Sequence, residues 1–146
     1  MCNLVGSSIS SDADIYGVNL AENPWDDDYR TGNKYLDHLY GAVFASYDDF
    51  RICVSFTEYA PHISRSLSCL SKAYEQLFLY EDHLLASFEF DLSCHHMRYH
   101  DDILNKLWLA VAMSCQFVVN ELEVTLIFKD WVLTHLSSQD RIYTNI

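Results

Sequence analysis

The sequence predicts an α+β or α/β fold: a small three-stranded sheet with helices packed on it, in a single domain. Three observations lead there. The chain has 146 residues, of which 50% are hydrophobic and 14% aromatic; that suits one domain with a real core. Its hydrophobic spacing switches repeatedly between one helical turn and strict alternation. The alternating runs are separated by helical ones, the order expected when parallel strands join by helical crossovers. The alternative is an all-α bundle whose alternating runs are helix ends.

The first 32 residues read as an irregular acidic arm, and residues 33–146 as the globular domain. The arm holds three of the four glycines, Gly6, Gly17 and Gly32, together with Pro24 and the cluster Trp25-Asp26-Asp27-Asp28-Tyr29. No helical or strand period persists in it. From Asn33 to Tyr47 the spacing is helical, with Tyr35, Leu36, Leu39, Tyr40, Val43 and Phe44 recurring turn by turn, and Asn33 suited to cap the start. Phe50, Ile52, Val54 and Phe56 then alternate with more polar neighbours, predicting a first strand that Pro61 ends.

Residues 62–80 carry the cleanest helical stripe, Ile63, Leu67, Leu70, Tyr74 and Leu77. Leu84, Ala86, Phe88, Phe90 and Leu92 predict a second strand, and residues 100–119 a central helix opened by Asp101 and Asp102. Leu122, Val124, Leu126 and Phe128 predict a third strand, against a competing helix through Leu136, and residues 130–137 a short terminal helix.

Charge and cysteine usage bound the function. Asp and Glu number 21 against 9 Lys and Arg, a net −12 at pH 7. That field repels phosphate backbones and anionic membranes, so neither direct nucleic-acid binding nor membrane association is expected. The five cysteines are odd in number, widely spaced and without a CxxC pair. With no basic, then apolar, leader visible, they suggest a reducing cytoplasmic setting.

Chemistry-bearing motifs are sparse. There is no GxSxG, GxGxxG, P-loop or HExxH, and no cofactor is expected. The densest ligand cluster is Cys94-His95-His96-Met97-Arg98-Tyr99-His100-Asp101. If the helix there begins early, His96 and His100 share one face a turn apart. Cys94 or Asp101 could then add a third metal ligand. Acidic residues beside aromatics recur at Trp25-Asp26-Asp27-Asp28-Tyr29, at Tyr47-Asp48-Asp49-Phe50 and at Tyr80-Glu81-Asp82. Rings supply contact area and carboxylates pair with Arg on a basic partner.

These features favour a non-catalytic acidic module that masks a basic surface of a partner protein, as an immunity protein, inhibitor or chaperone does. Trp25, Asp26, Asp27, Asp28, Tyr29, Asp48, Asp49, Glu81 and Asp82 are the expected contact residues. A nucleic-acid mimic is a variant of this reading, since the first fifty residues carry nine acids and two bases. The reading from a different class is a small metal- or thiol-dependent enzyme centred on residues 94–101, with Cys94, His96 and His100 as candidate ligands. Exposed apolar faces on a small sheet would allow two chains to pair as a homodimer.

Overall fold

The computed structural model describes residues 30–87, 94–114 and 121–134, and among them every regular element is a helix. In chain order these are α1 (Lys34–Phe56), α2 (Ala60–Ser87), α3 (Cys94–Ser114) and α4 (Glu121–Asp130). The α-helical architecture replaces the expected sheet. Helix α1 packs along α2, α2 along α3, and α4 returns against α1. The predicted arm lies outside the described residues except for 30–32. Among the described residues no helix is long and apolar enough to cross a membrane.

Helix α1 starts where the sequence places it. The Asn33 side chain accepts from the backbone N–H of Tyr35 and of Leu36, both at 3.0 Å, two of the donors that a helix start leaves without intrahelical partners. Asp37 stands in the first turn, where a negative charge complements the helix dipole. Its Oδ1 also accepts from the Thr31 backbone N–H and hydroxyl, each at 2.8 Å. Gly32 supports this entry with φ of 88°, a left-handed conformation that glycine adopts without steric cost.

The first predicted strand is the last two turns of α1. The alternation of Phe50, Ile52, Val54 and Phe56 is real, but only Phe50 of the four is buried, and Phe56 is exposed. The buried series is Val43, Tyr47 and Phe50, with Val54 packed against it, spaced four, three and four residues apart. A single short run can satisfy both periods, and the helical one wins because it extends a stripe already begun upstream.

Pro61 occupies the first turn of α2, where its missing N–H costs nothing. The buried stripe of α2 continues past residue 80 to Leu85. The second predicted strand is therefore helix at Leu84–Ser87, and its remainder, 88–92, lies outside the described residues. The third predicted strand is α4, in which Val124 and Phe128, one turn apart, are buried. In a strand these two would share a face with Leu122 and Leu126, but both leucines are half exposed. Residues 131–134 follow as one wide π-type turn.

That turn carries Trp131 into the centre of the core, where it is fully buried. Its ring meets Tyr74 edge-on at 5.1 Å and lies within 6.0 Å of Tyr40, Phe44 and Phe128. Tyr47 stacks on Phe128 at 3.8 Å. Aromatic pairs of this kind add about 0.5–1.5 kcal/mol each beyond their buried area. They join α1, α2 and α4 into one cluster.

Candidate metal centre

Helix α3 begins at Cys94, six residues before the start predicted from Asp101 and Asp102. The earlier start winds His96 and His100 onto one face, one turn apart, and their rings meet edge-on at 4.3 Å. Both are buried, His96 at 8% and His100 at 2% exposure. Phe78 of α2 stacks on the His100 ring at 3.9 Å, with the planes 6° apart. That contact sets the plane of the imidazole.

Helix α2 supplies the opposing carboxylates. Glu81 is fully buried, at 0% exposure, and its Oε2 lies 3.1 Å from His100 Nε2, an ion-pair contact rather than an aligned hydrogen bond. Its Oε1 accepts from the Tyr40 hydroxyl at 2.8 Å. Asp82, next in sequence and partly exposed, places Oδ1 3.0 Å from His100 Nδ1. Three helices thus contribute: α1 through Tyr40, α2 through Phe78, Glu81 and Asp82, and α3 through His96 and His100.

The arrangement is a chemical constraint on His100. A carboxylate only accepts, so Asp82 holds the proton of a neutral imidazole on Nδ1. Nε2 then presents a lone pair toward Glu81 Oε2, which also presents lone pairs. Two acceptors 3.1 Å apart in a buried site repel unless a proton carried by either partner, or a metal ion, lies between them. A proton on Nε2 would satisfy that pair alone. A metal ion would also engage His96, since ligand atoms of Glu81, His96 and His100 all lie within 4.8 Å of one another.

The donor set suits such an ion. Zinc binds imidazole nitrogen and carboxylate oxygen at about 2.0–2.2 Å, which places tetrahedral ligand atoms roughly 3.4 Å apart. The Glu81–His100 pair is already near that spacing, and the ligand atoms of all three residues lie within 4.8 Å of one another. Two imidazoles with one carboxylate favour zinc and its transition-metal neighbours over calcium or magnesium, which prefer all-oxygen shells. Asp82 on His100 and Tyr40 on Glu81 are the outer partners that ordinarily orient metal ligands.

Several expected site residues fall elsewhere. Trp25, Asp26, Asp27, Asp28 and Tyr29, and the side chain of Cys94, lie outside the described residues. Asp101 is exposed and is no part of the cluster. Asp48 and Asp49 sit on α1 two turns beyond Tyr40, roughly 12 Å along the axis. Burial of Asp48 pushes its carboxyl above the ordinary value, more than nearby Arg51 draws it down. Glu81, expected on a partner-facing surface, is instead wholly interior, and Asp82 is engaged with His100.

Sequence reasoning missed Glu81 as an interior residue, although the signal is present. The α2 stripe of Leu67, Leu70, Tyr74 and Leu77 reaches Glu81 at the next step of four, and Leu85 after it. A helix ended at residue 80 hides that register. No family model matches the chain, and comparison with curated proteins and with solved structures returned no similar protein.

Proposed function

We propose that this domain binds one divalent transition-metal ion, with zinc the first candidate, between α2 and α3 through Glu81, His96 and His100. The observation that carries the reading is the convergence of three buried side chains, Glu81, His96 and His100, whose ligand atoms all lie within 4.8 Å of one another. Three protein ligands leave a fourth position for water or a small ligand, and burial of all three restricts what can reach it. The reading keeps the metal at the expected 94–101 segment through His96 and His100, and adds Glu81 from α2 as the third ligand.

The test is metal analysis of purified protein, with zinc titration of the chelator-treated form. One equivalent should bind the wild type and none the His96→Ala/His100→Ala variant, while helical circular dichroism is kept in both. Equal metal content in the two proteins ends the reading. So does a chelator-treated protein whose melting temperature zinc does not raise, because an ion bound to the native state alone must stabilise it.

The acidic surface favours a second reading, compatible with the first. A net charge of −12 attracts basic proteins and speeds their encounter. The masking role expected from the sequence rests on that charge, with Asp48 and Asp49 still among its contacts and Glu81 removed from them. A reducing cytoplasm suits both readings, as Cys53 and Cys69 are free thiols.

A further inference from the structure

A groove runs between α3 and α4, with a cavity of about 350 Å³. Its floor is apolar, formed by Ile103 and Ile127. Leu122 and Leu126 line it while remaining 51% and 48% exposed, so it is open along its length. The Tyr99 hydroxyl donates to Asp130 Oδ2 across one end at 2.9 Å. The rim carries three carboxylates, Asp102, Glu123 and Asp130, against one ammonium, Lys106. Lys106 is already paired with Asp102 at 2.9 Å.

We infer that this groove is a docking site for an amphipathic helix of a basic protein, with apolar anchors on the floor and Lys or Arg side chains along the acidic rim. Dimensions and charge select that occupant. The lining spans Tyr99 to Lys106 on α3 and Leu122 to Asp130 on α4, about two turns or roughly 10–12 Å. That length accepts anchors at positions i, i+3 or i+4, and i+7 of a partner helix. An open trough with half-exposed leucines suits a helix better than an enclosed small molecule. A second copy of this chain would bring another net −12 to an acidic rim, and like charges opposed at an interface are costly. Anionic lipid and nucleic acid are repelled for the same reason.

The inference gives the basic-partner reading a location and does not depend on the ion, since Glu81, His96 and His100 do not line the groove. Its test uses the full chain and two labelled helix-forming peptides of about 15 residues. Both carry Leu at the anchor spacing; one is flanked by Lys and the other by Glu. Fluorescence anisotropy should show saturable binding of the Lys peptide, weakened by salt, and none of the Glu peptide. Leu126→Lys should weaken the Lys peptide roughly tenfold or more, the scale of losing one anchor residue. Glu123→Lys should weaken it and flatten the salt dependence. Both positions are exposed, so an unchanged thermal midpoint establishes that each variant is folded.

Absence of saturable binding by the Lys peptide overturns the inference. Equal binding of the two peptides, or unchanged binding by Leu126→Lys, does so as well. A wild-type dimer in sedimentation that Leu126→Lys converts to monomer would give the groove to a second copy instead. Failure here together with stoichiometric zinc binding leaves the metal reading intact. The converse pair of results leaves the groove.

Discussion

Asp82 Oδ1 lies 3.0 Å from His100 Nδ1, and that contact decides which nitrogen of the ring turns toward Glu81. Asp82 would touch no ion itself. Its effect on binding runs through the tautomer and orientation of His100. Asp82→Asn should therefore lower zinc affinity by about 10–100-fold, the usual cost of losing an outer partner of a metal ligand. The helical content should not change. Competition titration against a chromophoric chelator measures the change, and an affinity equal to wild type would show that Asp82 does not position the ligand.

Tyr40 holds the other oxygen of the Glu81 carboxylate. A hydrogen bond to a buried charged group is worth about 1.5–3 kcal/mol. Tyr40→Phe keeps the ring that faces Trp131 and removes only the hydroxyl. It should lower unfolding free energy by about that amount in urea titrations, with an unchanged denaturant slope. A loss below about 0.5 kcal/mol would mean that other groups fully compensate the carboxylate.

Gly41 lies in the interior of α1, and a Cβ built there meets nothing within 4 Å. Glycine in a helix costs about 1 kcal/mol relative to alanine. Gly41→Ala should raise stability by roughly 0.5–1 kcal/mol, read as an upward shift in melting temperature. A lower melting temperature would contradict the open space at this position.

The Tyr74 hydroxyl is buried and has no hydrogen-bond partner among the described residues. Burial raises its pKa well above the ordinary 10.0. The folded state therefore binds this proton more tightly than the unfolded chain. Its contribution to stability is fully present below pH 10.0 and is lost as pH rises toward the folded value. Tyr74→Phe removes both the unsatisfied hydroxyl and that pH dependence. The variant should be as stable as wild type or more stable at neutral pH, and its alkaline unfolding should move to higher pH.

Asp48 offers the corresponding test at acidic pH. Its raised folded pKa means that its proton binds more tightly in the native state than in the unfolded chain. Stability is favoured below the ordinary value of 3.8 and declines as pH rises through the folded one. Asp48→Asn should raise the melting temperature at neutral pH and leave it unchanged below the ordinary carboxylate range. The gain should be under about 1 kcal/mol, because solvent still screens this partly exposed group. A destabilised variant at neutral pH would show that attraction to Arg51 outweighs burial.

The local sequence determined the helical stripes of α1 and α2, the Asn33 cap and the place of Pro61. Each depends on neighbours within one or two turns, so spacing alone carries it. The one-turn spacing of His96 and His100 was legible in the same way, conditional on an early helix start. The alternating runs at Phe50–Phe56 and Leu122–Phe128 were ambiguous, because a few apolar residues fit either period. Helix wins at Phe50 because Val43 and Tyr47 extend the stripe, and at Phe128 because Val124 and Phe128, one turn apart, are buried together while Phe44 and Tyr47 of α1 pack on Phe128. The α2 stripe already pointed Glu81 inward, but only the tertiary structure decided that Tyr40 and two histidines converge on it and that Asp82 meets His100. These residues span positions 40 to 100 and meet through the packing of α1, α2 and α3. No periodicity within a single helix records which neighbour its buried face will meet.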